Sequence, residues 1–341
     1  MMTGRKGCEY DMGYDKNVYI EADRIMQERR NNALRDADKR KNQLYKEHPD
    51  AKHLEAELSS TLTKVTRTML SKKIDLKSAL EKLKEENLKT QAMLNEVYTN
   101  AGISAKDLEP QYQCNKCEDK GNIDGKICSC YKQLLKEIAC KNLNNLSQFK
   151  FSTFLTFSLD YYSNKRQNNE QFSEREKIGK YFDYCKKYAN TFNIGSRNIL
   201  MRGNTGLGKT HLSMAIARQV SESGFGVIYC STPDIITKIE NEHFGKTESQ
   251  NTLGTLNECD LLILDDLGTE FQTSFTRTTV YNIINARLIS NKPTIINTNL
   301  DFEELEKLYS SRLVSRIMGE YVVMNFVGKD IRQAKRLEKY K

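Results

Sequence analysis

The rhythm of apolar positions changes part-way along the chain. Between Leu76 and Tyr98 they recur at three- and four-residue steps or their multiples, at Leu76, Leu80, Leu83, Leu94 and Val97. The run has no Gly or Pro, and Gly102 follows as a stop signal. That spacing sets them on one stripe of a helix, which serves either to pack on neighbouring helices or to receive a partner. The stretch before it, Tyr19 to His48, is dense in Arg, Lys, Asp and Glu and reads as a solvated helix that Pro49 interrupts. From Asn198 onward short apolar runs take over: NILM at 198–201, GVIYC at 226–230, LLILD at 261–265, TIINT at 294–298 and YVVMNF at 321–326. Helical stretches separate them, so the pattern predicts a parallel five-stranded sheet flanked by helices, an α/β core.

These textures divide the chain. Residues 1–110 form a polar helical region, 111–135 a compact module rich in cysteine, 136–175 an Asn-rich polar linker, and 176–341 the sheet domain, entered through a second periodic stretch from Ile178 to Tyr188. No internal repeat appears. At 341 residues the chain has room for more than one domain and a sizeable core.

Composition narrows the class. Hydrophobic residues make up 38% and charged residues 29%, the balance of a globular protein, and 53 Lys and Arg against 45 Asp and Glu leave a net charge of +8. That excess is modest; it is compatible with phosphate-backbone contacts without demanding them. No apolar run approaches the 18 or so residues of a membrane span, and the start MMTGRKGCEY lacks the apolar core of a signal peptide, so the expected location is the cytoplasm, with no membrane partner. Nine cysteines, an odd number in a long chain, point to reduced thiols and one metal site, not to a disulfide framework.

The chemistry starts at Gly203-Asn204-Thr205-Gly206-Leu207-Gly208-Lys209-Thr210, a full match to the phosphate-loop pattern, followed by His211. It follows the strand NILM and opens the amphipathic helix HLSMAIARQV. The glycines let backbone N–H groups curl around phosphate oxygens, and the helix N-terminus adds favourable potential. Lys209 is placed to reach the β- and γ-phosphates of ATP, and Thr210 to ligate Mg²⁺. The strand LLILDD then ends in two carboxylates, Asp265 to hold the magnesium and Asp266 to polarise the attacking water. Because GVIYC lies between the two motifs, their strands need not be neighbours, an arrangement of the P-loop branch that includes AAA+ proteins and helicases. Asn299, after TIINT, is positioned to sense the γ-phosphate or the water. Arg312 and Arg316 lie four apart on one helical face. They either pair with Glu303, Glu304 or Glu306, or reach the γ-phosphate on an adjacent subunit and make assembly a condition for hydrolysis.

Cys114 and Cys117 are separated by two residues and Cys128 and Cys130 by one, with Gly121 and Gly125 in between for tight turns. Four thiolates at this spacing can surround a tetrahedral Zn²⁺, with free cysteines, an iron–sulfur cluster or a redox pair as alternatives. Four protein ligands leave no open position, so the role is structural, and a module this poor in large apolar residues needs metal to fold. Cys8, Cys140, Cys185, Cys230 and Cys259 read as ordinary thiols.

The order of a helical region, YQCNKCEDKGNIDGKICSCYKQ, GNTGLGKTHLSMAIA, LLILDDLGTEF, PTIINTNL and SRLVSRIMG resembles that of bacterial replicative helicase loaders of the DnaC/DnaI type, over nearly the whole chain beyond residue 75. The resemblance implies an AAA+ domain without the usual helical lid, an N-terminal region that binds the ring-shaped, hexameric replicative helicase, and an ATPase domain that touches single-stranded DNA. It assigns Lys209 and Thr210 to the Walker A motif, Asp265 and Asp266 to Walker B, Asn299 to the first sensor, Arg316 to the arginine finger with Arg312 as companion, and Arg332 to a second sensor. Asp266 stands where many AAA+ enzymes carry Glu, which implies slow hydrolysis suited to a switch. The four-cysteine set departs from loaders whose zinc ligands include His.

The expected function is an ATP-dependent loader in the primosome of DNA replication: subunits associate in the ATP state and deliver the helicase to single-stranded DNA. A transposition helper ATPase with the same core and a non-hydrolysing ATP-gated adaptor are the competing expectations.

Overall fold

The computed structural model describes residues 14–70, 76–144, 152–166, 171–246, 251–333 and 336, with backbone alone for 61–70 and 76–80. Helix α1 (Lys16–Glu47) stops one residue short of α2 (Pro49–Leu70). Pro49 takes the first helical position, where its missing N–H costs nothing. Helix α1 is less solvated than its charge suggests: Val18, Ala22, Met26, Ala33, Ala37 and Leu44 are all buried along it. The stripe escapes a reading of charge density because half of its residues are alanine.

Helix α3 (Leu76–Asn100) packs antiparallel to α2, and Leu94 and Tyr98 join Leu44, Ala51, Leu54 and Leu108 in one cluster, with Val97 against it. Tyr45 and Tyr98 each donate a 2.7 Å hydrogen bond to the Glu55 carboxylate. The side chains of Leu76 and Leu80 lie outside the described residues, as does Cys8. Among the described residues no helix is long and apolar enough to cross a membrane.

The chain divides into two compact units, Asp23–Tyr131 and the remainder. In the first, a hairpin of β1 (Asn122–Ile123) and β2 (Lys126–Ile127) turns at Asp124-Gly125, both at positive φ (48° and 80°), as a two-residue hairpin requires. Arg30 and Arg40 of α1 anchor the neighbouring segments through backbone carbonyls. Arg30 donates to Glu118 O (2.5 Å), and Arg40 to Asp107 O (2.6 Å) and Glu109 O (2.9 Å).

The second unit carries the sheet. Its helix α4 (Ser129–Asn144) runs well into the stretch expected as a linker, and Cys140 and Leu143 enter the core. Strands β3 (Asn198–Arg202), β4 (Val227–Ser231), β5 (Leu261–Leu267), β6 (Thr294–Thr298) and β7 (Tyr321–Asn325) are all parallel, in the order β4-β5-β6-β3-β7. Strand β6 therefore separates the strand before the phosphate loop from the strand that ends in carboxylates. Strand β4 is an edge, and the Asn144 side chain covers part of it: its amide donates to Val227 O (2.6 Å) and its Oδ1 accepts from Tyr229 N (2.8 Å).

Helices α5 (Glu174–Asn190) and α6 (Lys209–Glu222) cover one face of the sheet through Ile178, Cys185, Leu212 and Ile216. The other face meets α7 (Thr232–His243), α8 (Thr252–Glu258), α9 (Ser274–Ile289), α10 (Phe302–Leu308) and α11 (Ser311–Glu320) through Ile235, Leu256, Ile283, Leu305 and Ile317. Arg287 is fully buried among them. Its guanidinium donates to Leu256 O (2.7 Å), Cys259 O (3.0 Å), Pro293 O (2.6 Å) and Thr294 Oγ1 (2.9 Å), tying the end of α8 to the starts of β5 and β6.

Candidate functional site

The loop between β3 and α6 takes its shape from backbone freedom and crowding. Gly203 (φ 138°) and Gly208 (φ 90°) both lie in the positive region. A Cβ on Gly203 would sit 2.2 Å from the Phe326 carbonyl oxygen; one on Gly208 would sit 2.7 Å from the Tyr162 hydroxyl. The loop and the first turn of α6, with its exposed N–H groups, wall a cavity of about 470 Å³, a size that suits a nucleotide. Thr205 to His211, Asp266, Asn299 and Arg332 all line it. The carbonyls of Gly203 and Asn204 accept from Lys209 Nζ at 2.5 and 2.7 Å. The third acceptor of that ammonium is Asn299 Oδ1 at 2.7 Å.

Burial pulls Lys209 down to about 8, against the opposing pull of Asp266 and Asp265 and with a further push from Arg332. The group is still mainly protonated at pH 7. A triphosphate beside it favours the charged form, so nucleotide binding above pH 8 must take up protons through this lysine, whereas binding near pH 6.5 should take up none there. Calorimetric titrations in buffers of different ionisation enthalpy are expected to show that uptake at pH 8.5 and its absence at pH 6.5. Equal proton counts at both pH values would contradict it.

The two carboxylates after β5 part company at a bulge. Leu264 pairs with Ile296 and Leu267 with Thr298, so Asp265 and Asp266 together face Asn297 alone. Asp266 takes a left-handed backbone (φ 55°), unusual for a non-glycine residue, and its carboxylate lines the cavity. Burial, then the neighbouring Asp265, push it above the ordinary carboxylate range, with Lys209 and Arg332 opposing. Asp265 is buried (1% exposed) and meets the cavity only through Thr210, whose hydroxyl donates to Oδ2 at 3.1 Å and lies 3.3 Å from Oδ1.

Several residues of this site carry no local signature. The stretch 152–162, inside the expected linker, folds over the phosphate loop. Tyr162 donates to Leu207 O (2.8 Å), and Phe157 stacks on Phe182 with ring centres 5.5 Å apart. His211 meets Phe157 edge-on at 5.3 Å, and its Nε2 lies 2.9 Å from Thr153 O. Phe157, Tyr161 and Ile331 contribute apolar lining to the cavity. The aromatic density of FSTFLTFSLDYY was the available signal; nothing in its spacing says which pocket it covers.

The arginines of α11 are elsewhere. Arg316 donates to Asn285 Oδ1 and Arg312 lies 5.7 Å from the Tyr281 ring, two partners one turn apart on α9. Arg316 borders a second cavity of about 1050 Å³ with Arg197, Asn198 and Tyr321, at the starts of β3 and β7. The phosphate loop follows the opposite end of β3.

In the cysteine module the four Sγ atoms of Cys114, Cys117, Cys128 and Cys130 lie within 4.8 Å of one another; Cys114 to Cys128 is 3.9 Å and Cys117 to Cys130 is 3.4 Å. A tetrahedron with zinc–sulfur bonds of about 2.3 Å has edges of about 3.8 Å, so the thiols fit zinc. Backbone N–H groups of Cys117, chiefly, and Lys116 draw Cys114 down to about 7, toward the thiolate that a metal requires. Asp119, buried, accepts from Gln113 N and Cys114 N, both at 2.9 Å, and fixes the first knuckle.

The family described as IstB-like ATP binding protein matches residues 187–336. The replicative helicase loader DnaC of Escherichia coli (strain K12) is 28% identical over 135 residues, 39% of this chain and 55% of that one. DnaC of Buchnera aphidicola subsp. Baizongia pistaciae (strain Bp) is 27% identical over 144 residues, 41% and 58%. Over the matched residues the sheet-bearing unit is similar to the DnaC loaders. Among solved structures the DnaC helicase loader is similar, at 23% identity and a TM-score of 0.42 over 51% of this chain and 98% of that one. DnaI gives 19% and 0.39 over 50% and 92%. The chain spans less than two thirds of the length of the DnaC relatives quoted. In this unit the phosphate loop, Asp266, Asn299 and Arg332 converge on one cavity with Asp265 buried behind Thr210, while Arg312 and Arg316 belong to another surface.

Proposed function

We propose that the chain is an ATP-dependent helicase loader of DNA replication, acting in the cytoplasm. Its subunits associate in the ATP state, hold a hexameric replicative helicase through residues 1–110 and place it on single-stranded DNA. The observation that best supports an assembling ATPase is the position of Arg316. Its cavity opens at the start of β3, about 17 Å of strand from the phosphate loop at roughly 3.3 Å per residue. From there it serves a triphosphate on another copy, with Arg312 beside it, and not its own.

Within one subunit the residues divide the work. The loop N–H groups and Lys209 hold the phosphates, Arg332 adds charge beside them, and the apolar lining of the cavity packs on the rest of the nucleotide. Thr210 and Asp265, both hard oxygen donors, would hold Mg²⁺, which when bound neutralises charge developing on the phosphates. Asp266 accepts the proton of the attacking water and Asn299 orients that water. The raised affinity of Asp266 for protons suits a base, but its short side chain and strained backbone make turnover slow until DNA or the helicase completes the site. Cys114, Cys117, Cys128 and Cys130 hold Zn²⁺ in a structural role.

The test uses the full chain, the cognate hexameric helicase and labelled single-stranded DNA, followed by size-exclusion chromatography with and without ATP. A complex that forms with ATP and releases the helicase onto DNA after turnover is expected. Failure to bind the helicase in either state, with ATP-dependent binding of duplex DNA instead, would replace the loader with a transposition helper.

A further inference from the structure

Asp265 is served by more than the phosphate loop. Tyr229, on edge strand β4, donates its hydroxyl to Oδ2 at 2.5 Å. Asn297, on β6, donates Nδ2 to Oδ1 at 2.7 Å and also to Ser213 Oγ at 2.7 Å, while Ser213 Oγ donates to the Thr210 carbonyl at 3.1 Å. Two strands and α6 thus converge on one buried carboxylate. Each oxygen holds one short bond from a side chain outside the two nucleotide motifs, and the longer donation from Thr210 is the one facing the cavity.

The geometry of Asn297 is chemically unambiguous, because only its NH₂ can donate to a carboxylate. Its own carbonyl Oδ1, fully buried, finds no partner among the described residues. An unmet buried acceptor costs about 1–3 kcal/mol, so packing alone favours an apolar residue here. What the amide contributes is orientation of Asp265 and of the first turn of α6. Tyr229 likewise places a hydroxyl in a buried layer, where an aromatic ring alone fills the same space.

We infer that Tyr229 and Asn297 are positioning residues for magnesium: they hold the Asp265 carboxylate in one orientation, so that Thr210 and the ion find a fixed acceptor behind the cavity wall. This rests on the ATP·Mg²⁺ reading of the site. Partners behind a metal-holding group set its affinity for the ion by about 10- to 100-fold in other metal sites. An exposed, solvent-supported aspartate would not need them.

The test is binding of a fluorescent ATP analogue to the full chain as free Mg²⁺ is titrated, for wild type, Tyr229→Phe and Asn297→Leu. Tyr229→Phe removes only the hydroxyl, Asn297→Leu removes the amide donor while keeping the branched shape, and either alone suffices should the other fail to fold. The expected result is a rise of about tenfold in the Mg²⁺ concentration at half-saturation, with affinity for the analogue in EDTA unchanged. An unaltered Mg²⁺ midpoint overturns the inference, as does a parallel loss of affinity with and without Mg²⁺, the mark of a merely structural role. Wild type that binds no analogue at any Mg²⁺ concentration instead overturns the nucleotide reading and the inference with it.

Discussion

Lys209→Ala should lower ATP turnover at least about 100-fold while the protein stays folded, because a preorganised charge at developing phosphate charge is worth about 10²–10³ in rate. The side chain is buried and its ammonium is held by Gly203 O, Asn204 O and Asn299 Oδ1. Its loss therefore removes the cation, and the space it vacates opens to the cavity, so water can reach the three acceptors. Arg316→Ala should reduce turnover comparably for a different reason, since its guanidinium borders another cavity and is tied to α9 through Asn285. The two lesions then fall on opposite sides of a shared interface. In an equal mixture, a site is intact only where an Arg316→Ala subunit supplies the phosphate loop and a Lys209→Ala subunit supplies the arginine. Random assembly should restore about a quarter of wild-type turnover. Arg316→Ala at the wild-type rate removes the arginine from the mechanism, and two inactive variants whose mixture stays as inactive as either remove its action across an interface.

The second large effect concerns the cysteine module. Stripping zinc, or Cys117→Ser, should unfold residues 112–131 while the sheet-bearing unit keeps its own thermal transition. The module offers little to replace the metal: its hairpin has two residues per strand, and Ile123 and Ile127 are both exposed. A structural zinc contributes about 10–16 kcal/mol of apparent binding free energy, far more than so small an apolar surface supplies. Metal analysis should give one zinc per chain. Hydrogen exchange across 112–131 should collapse to fast rates on chelation and recover on adding zinc. Metal-free protein with unchanged exchange in that segment would show that Asp119, Arg30 and the turns suffice without it.

Much of the architecture was legible along the chain. The five apolar runs correspond to β3 through β7 within two residues at each end, because a strand buried on both faces must be apolar along its whole length. The phosphate loop was legible for a similar reason: its glycines answer a local demand of the backbone, and Gly203 and Gly208 do adopt the positive φ that only glycine takes freely. The part of the α3 stripe at Leu94 and Val97 and the break at Pro49 are equally local.

The misread parts were those whose meaning depends on distant partners. The polar stretch 136–175 looked like a linker, yet Asn144 covers the β4 edge, while Phe157 and Tyr162 clamp the phosphate loop. Helix α1 looked solvated, yet Arg30 and Arg40 spend their charge on backbone carbonyls. Tyr229 and Asn297 sit inside ordinary strand patterns, where nothing distinguishes them from packing residues.

What the sequence determined by itself, then, is the set of elements and the phosphate-binding chemistry, since periodicity, glycine placement and the G-x-x-x-x-G-K-T run act over a few residues. Only the tertiary structure decided which side chains serve that chemistry. The order β4-β5-β6-β3-β7 brings Tyr229, Asp265 and Asn297 onto three adjacent strands, and the bulge at Asp265 and Asp266 turns one carboxylate inward and the other toward the cavity. Those outcomes follow from strand order, register and close packing, in which residues far apart in the chain become neighbours, and no local pattern encodes them.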